Sequence, residues 1–241
     1  MNRNILITGV SSGIGLALAR VYLRAGFEVF GVSRREATGL LAEPAMHFQR
    51  IDLACLSSIP PGIQALLDGI THLQIIVLNA AMLGRIADLR EMPIEELHRV
   101  MDVNLWANHQ ILNTLFNSGK TVRQVVAISS GAAVTAFRGW NVYSISKAAL
   151  NKWIELLAVE MPDTHFSAIA PGIVHTPVQD YLASLPPDER FPSLDYLRRS
   201  RGTARMPEPE HAARRLAIGI SLALQHRSGS FLEIDQLLQN T

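Results

Sequence analysis

The sequence predicts an α/β fold: one doubly wound parallel sheet of about seven strands with helices on both faces. Three observations carry this. Short apolar runs alternate with helix-period segments from end to end. The runs are apolar at successive positions rather than every second one, which marks strands buried on both faces. The first run leads into a glycine-rich turn that opens a helix, the entry of a nucleotide-binding sheet. Right-handed crossovers between parallel strands then give the doubly wound arrangement.

Each element follows from its local pattern. Asn4–Thr8 (NILIT) is the first strand, and residues 13–25 carry helical periodicity behind the glycines. Glu28–Ser33 (EVFGVS) is the second strand, 48–53 the third and 74–78 (QIIVL) the fourth. Residues 93–118 hold one or two helices, with Pro93 suited to a first turn. The fifth strand is 124–129 (QVVAIS), followed by a long amphipathic helix over 140–161 and a sixth strand at 166–170. Residues 207–225 read as a helix and 230–234 as a last short strand. Residues 177–206, with Pro177, Pro186, Pro187, Pro192 and the basic run RRSRGTAR, read as irregular, a substrate-binding loop or lid.

With 48% hydrophobic and 18% charged residues, the chain has the makings of a large core. Its 22 basic and 21 acidic residues leave a net charge of +1, so nothing favours nucleic acid or an anionic membrane. Cys55 is the only cysteine, which excludes an intramolecular disulfide and a thiolate cluster. The eight histidines show no metal-ligand spacing, and no metal is expected. No secretory segment opens the sequence, and no apolar run reaches the roughly 18 residues of a membrane span. The expectation is a single cytoplasmic catalytic domain over 1–241.

In such a sheet ligands bind at the carboxyl ends of the strands. After the first strand comes TGVSSGIG, with Gly9, Gly13 and Gly15 spaced G-x-x-x-G-x-G. These glycines let the backbone of Ser11, Ser12 and Ile14 approach a pyrophosphate, held by the N–H groups and dipole of the following helix. An NAD site usually presents a carboxylate at the end of the second strand. Glu28 lies at the wrong end of that strand, and the correct end reads Ser33-Arg34-Arg35. A hydroxyl followed by two guanidiniums favours a 2′-phosphate, hence NADPH/NADP+; the plain alternative is two solvated surface charges.

Tyr143 and Lys147, in YSISK, are four apart and share a helix face. Taken singly, Tyr143 reads as amphipathic packing, Ser130 as a turn serine and Asn104 as a buried amide. Together, with the glycine turn, Asp52 after the third strand, NAA at 79–81, VNL around Asn104, ISSG around Ser130 and PGIVHT at 171–176, they resemble the short-chain dehydrogenase/reductase family over essentially the whole sequence. The resemblance implies a single Rossmann-type NADP(H)-binding domain with a catalytic set of Asn104, Ser130, Tyr143 and Lys147. Tyr143 would protonate the carbonyl oxygen, and Ser130 would hydrogen-bond it. Lys147 would lower the tyrosine pKa and hold the nicotinamide ribose, while Asn104 would fix a water for proton relay. It also places Asp52 and Leu53 at the adenine, with a plain loop cap as the alternative for Asp52, Asn79 and Ala80 at the adenosine ribose, Thr176 and the Val174 backbone at the carboxamide, and Pro171 among the cofactor-binding residues.

Within the family, AAMLG after Asn79, the short connection from Lys147 to Pro171 and the ending SGSFLEIDQL are similar to sepiapterin reductase and benzil reductase-like members. They imply NADPH-dependent reduction of a ketone, diketone or similar small carbonyl. Gln236 and Leu237 stand where many members carry a glycine pair, and Glu233 stands where sepiapterin reductase has its pterin-anchoring aspartate. The pocket wall is expected from Met82, Leu83, Phe137, Trp140, Tyr181 and Leu182. Arg198, Arg199, Arg201 and Arg205 read as a solvated helix face, with anionic-substrate recognition as the alternative. His175 reads as a pocket-edge or surface residue. Family members assemble through the helices around 105–118 and 140–161, so a homodimer or homotetramer is expected. The competing functions are another short-chain reductase acting on 3-oxoacyl, steroid or sugar substrates, and a non-catalytic NADP(H)-binding regulator.

Overall fold

The computed structural model describes residues 3–239; Met1, Asn2, Asn240 and Thr241, the ends of the expected 1–241 domain, lie outside them. β1 (Asn4–Thr8) is buried at all five positions, because both faces of the sheet are covered. Leu6 points into one core with Ile76, Leu78, Val125 and Ala127. Ile5 and Ile7 point into the other with Val77, Val126 and Ile128. Burial of each such branched side chain contributes about 1.5–3 kcal/mol.

All seven strands are parallel and pair in the order β3-β2-β1-β4-β5-β6-β7. β2 is Glu28–Ser33, β3 Met46–Arg50, β4 His72–Leu78, β5 Thr121–Ile128, β6 His165–Ala170 and β7 Ser230–Glu233. On one face lie α2 (Ile59–Leu66), α4 (Ala107–Asn117) and α5 (Asn141–Glu160). On the other lie α1 (Gly13–Arg24), α8 (Pro209–Ala223) and α9 (Ile234–Gln239). The predicted doubly wound fold is the observed one, with its switch point between β1 and β4.

Three local readings are corrected, and one helix adds to them. β3 ends at Arg50, not 53: Ile51 donates one more N–H to the Ser33 carbonyl (3.2 Å), and the chain then turns, Asp52 Oδ1 capping the Ala54 N–H (3.1 Å). α2 was hidden by Pro60, Pro61 and Gly62; prolines are tolerated in a first turn, whose N–H groups have no intrahelical partner. Residues 177–206 are not irregular but form α6 (Pro177–Ser184) and α7 (Pro192–Ser200), each opened by proline. Their Leu182, Phe191, Leu194 and Leu197 build a small core with Met206, so Leu182 packs inside this cap instead of lining a pocket. The last strand stops at Glu233, and Gln236 and Leu237 lie on α9, not in a loop where glycines would serve.

The 93–118 segment is α3 (Ile94–Met101) running into α4 through a π-helical turn, Asp102–Trp106. Such turns insert one extra residue and recur at functional sites; Asn104 sits inside this one. Among the described residues no helix is long and apolar enough to cross a membrane, and no His, Cys, Asp or Glu group is placed to hold a metal ion.

Candidate active site

The carboxyl ends of β1 and β4 are stitched together. Thr8 Oγ1 accepts the N–H groups of Asn79 and Ala80, both at 3.0 Å, and Asn79 Nδ2 donates to the Thr8 carbonyl at 2.8 Å. The glycine turn folds over this joint. Gly9 has φ +79°, where a side chain is strained. A Cβ on Gly15 would lie 2.3 Å from the Gly9 carbonyl oxygen, so only glycine lets α1 approach. A Cβ on Gly13 would stand 3.2 Å from Thr176 Cγ2, filling the slot between the turn and the segment after β6. Ser12, extended at φ −163°, places no side-chain cap on α1, leaving the first-turn N–H groups without a side-chain acceptor. These features fit a dinucleotide pyrophosphate.

At the end of β2, Ser33 is buried and its hydroxyl donates to the Arg35 carbonyl at 2.5 Å. Arg34 and Arg35 are exposed, with no carboxylate partner in any ion pair among the described residues. Glu28, at the far end of the same strand, pairs with His47 at 2.7 Å. Asp52 is exposed, with one oxygen occupied by its own turn, and Leu53 is buried beside it.

Ser130 lies two residues past β5 and caps the following turn, its Oγ accepting the Ala132 N–H at 3.1 Å. Its hydroxyl proton points to the Tyr143 phenol oxygen instead. α5 starts at Asn141, with Trp140 as its N-cap, which brings Tyr143 to Ser130. Burial pushes the Tyr143 phenol up, while the Ser130 hydroxyl pulls it down. The expected lowering by Lys147 is thus not the dominant effect on this phenol. Lys147 is 2% exposed, its Nζ donates to the Ile128 carbonyl at 2.7 Å and lies 5.8 Å from the Tyr143 ring centroid. Burial brings its pKa down from 10.5 to about 8.

Asn104, fully buried in the π-helical turn, uses its whole side chain. Oδ1 accepts the Met82 N–H (2.7 Å), and Nδ2 donates to the Met82 carbonyl (2.8 Å) and to Ser146 Oγ (2.9 Å). Ser146 in turn donates to the Tyr143 carbonyl at 2.8 Å. Ser146, the fourth letter of YSISK, was missed by sequence reasoning. Its signal was the spacing: three residues on from Tyr143, it lies on the same helix face.

Phe137, Trp140 and Tyr143 form a ring chain with centroid spacings of 6.3 and 5.9 Å. Trp140 Nε1 donates to Ser193 Oγ at 2.8 Å, and Phe191 lies against Gly139, fastening the α6–α7 cap to this wall. Met82 faces a separate small cluster with Val100 and Val142. Tyr181 is exposed on α6; Glu233 ends β7 beside Ala170, where it accepts the Gln236 amide at 2.7 Å. Pro171 and Val174 lie on the loop after β6, and Val174 is buried. Beyond it His175 bonds Glu208 (2.9 Å) and Asp180 (3.2 Å), and Arg201 also reaches Asp180 (2.8 Å). Arg198 pairs with Asp195 and donates to the Leu185 carbonyl. These two arginines brace the cap, while Arg199 and Arg205 are exposed.

Comparison with known proteins gives the family. Residues 3–185 match the short chain dehydrogenase family. A benzil reductase ((S)-benzoin forming) of Saccharomyces cerevisiae is 33% identical over 196 residues, covering 74% of each chain. One from Bacillus subtilis is 28% identical over 219 residues, 86% of this chain and 89% of the relative. A crystal structure of a Saccharomyces cerevisiae short chain dehydrogenase/reductase superposes with a TM-score of 0.84 at 25% identity, covering 98% of both chains. The chain therefore belongs to the short-chain dehydrogenase family of oxidoreductases.

Proposed function

We propose that this chain is an NADPH-dependent reductase of a small ketone or diketone, with Tyr143 as the proton donor. The observation that carries the reading is the convergence of Ser130, Tyr143 and a buried Lys147 at the carboxyl end of β5. The similarity to benzil reductases supports the substrate class.

A reduced nicotinamide supplies hydride to the carbonyl carbon when bound. The chain's own residues handle the oxygen. Ser130, its lone pair engaged by Ala132, donates a hydrogen bond to the developing alkoxide. Tyr143 then transfers its phenolic proton to that oxygen. A phenol raised by burial stays protonated across neutral pH, the form reduction needs. The Lys147 ammonium stands ready to stabilise the phenolate left behind. Asn104 and Ser146 fix the start of α5 and the Met82 backbone, so the phenol is held in one place. Gly9, Gly13 and Gly15 with Thr176 would cradle the pyrophosphate and carboxamide, and Arg34 and Arg35 the 2′-phosphate.

The α6–α7 cap would close the substrate side, with Tyr181 on α6 and the Phe137–Trp140 pair as an aromatic wall. Such a wall suits an apolar aryl or alkyl carbonyl. A second copy is proposed to cover Trp106, Ile145, Leu156 and Val159, exposed apolar residues on the π-helical turn and α5.

The test is oxidation of NADPH by purified protein with a panel of diketones, ketones, acyl thioesters and pterins. Turnover of aryl diketones is expected, and Tyr143→Phe should lower it by about 10²–10⁴ while cofactor binding persists. Full activity in the variant overturns the proton-donor assignment. Silence across the panel with intact cofactor binding favours the regulator reading.

A further inference from the structure

The corner of the sheet where β2 and β3 end holds a third arginine. Arg50 is the last residue of β3 and the register partner of Ser33. Its Nε donates to the Arg34 carbonyl at 2.9 Å, while Ser33 Oγ holds the next carbonyl, that of Arg35. Two side-chain donors thus tie down both carbonyls of the turn bearing Arg34 and Arg35. A carbonyl lone pair so engaged does not compete with an anion for the guanidiniums. In a planar trans peptide the N–H points opposite its carbonyl, so the N–H groups of Arg35 and Glu36 are turned the other way.

What sets this corner apart is that three arginines share it. Arg20, Arg85, Arg138, Arg190, Arg198, Arg201 and Arg215 each meet a carboxylate within 4 Å. Among the described residues Arg34, Arg35 and Arg50 meet none, although all three sit on adjacent strand ends. Of the acids next to them in sequence, Asp52 has one oxygen on the Ala54 N–H and Glu36 is exposed. Three arginines on adjacent strand ends, without a carboxylate partner among the described residues, raise the local positive potential, and a dianion restores the balance.

We infer that Arg50 is a specificity-determining positioning residue for the cofactor's 2′-phosphate: it sets the Arg34–Arg35 turn and adds the third positive charge. This rests on the NADPH reading above. Nothing in the local pattern singles it out, because a strand drawn through 48–53 places residue 50 in mid-strand.

The experiment is calorimetric titration of wild type, Arg50→Gln and Arg50→Lys with adenosine 2′,5′-bisphosphate and with 5′-AMP, neither of which needs turnover. Wild type should prefer the bisphosphate by tenfold or more. Arg50→Gln should weaken bisphosphate binding about tenfold and leave 5′-AMP within about twofold. Arg50→Lys, which keeps the charge without the guanidinium fork, should fall between. A purely structural role would weaken both ligands alike, and that result overturns the inference. So does a variant pair that binds the bisphosphate as wild type does. A wild type indifferent to the 2′-phosphate sinks the NADPH reading itself, a distinguishable outcome.

Discussion

Lys147 is held at a cost to folding that its removal should expose. The residue is 2% exposed and its pKa falls from 10.5 to about 8. At about 1.4 kcal/mol per tenfold change, burying its charged form costs roughly 3 kcal/mol. Between these two values the unfolded chain binds more protons than the folded one, so stability rises with pH across that window. Below about pH 8 the full cost is present. Lys147→Met removes the charge and keeps the length, but leaves the Ile128 carbonyl without its donor, a loss of about 1–3 kcal/mol. The variant should therefore be inactive yet about 1 kcal/mol more stable than wild type at pH 7. Its advantage should shrink by roughly 2–3 kcal/mol by pH 10, where wild-type Lys147 is already neutral. Denaturant unfolding of both proteins at the two pH values measures this, since every other titrating group cancels in the difference. A stability difference independent of pH would refute the argument, because burial of the charge would then not be what Lys147 contributes.

Two further outcomes test the scaffold. Gly15→Ala drives a Cβ to 2.3 Å from a backbone carbonyl and should lower Tm by about 2–10 °C and weaken dinucleotide binding; Gly131→Ala, with open space around the added carbon, should leave Tm unchanged within about a degree. His175 has its pKa raised by Glu208 first and Asp180 second. Its contribution to stability is fully present below about pH 6.5 and is lost as pH rises through the raised value. The Tm gap between wild type and His175→Asn should be widest near pH 6 and close above that range; a gap constant with pH would show that the ion pairs contribute nothing.

By itself, the sequence determined the sheet and the chemistry that local spacing encodes. Strands apolar on both faces call for a sheet covered on both sides, so β1, β2, β4, β5 and β6 were legible from the order of apolar residues alone. Gly9, Gly13 and Gly15 announced a close backbone approach because no other residue tolerates it. Tyr143 and Lys147 announced a shared face because a helix repeats every 3.6 residues. What the tertiary structure decided depends on partners distant in sequence. The cap over 177–206 looked like a proline-broken loop, yet its helices are stabilised by a core that forms only when Leu182, Phe191 and Met206 meet. Asn104 is placed by the Met82 backbone and Ser146, 22 and 42 residues away. Arg50 became visible only once β3 was seen to end beside Ser33, since a strand's last residue is set by where its neighbour stops offering hydrogen bonds.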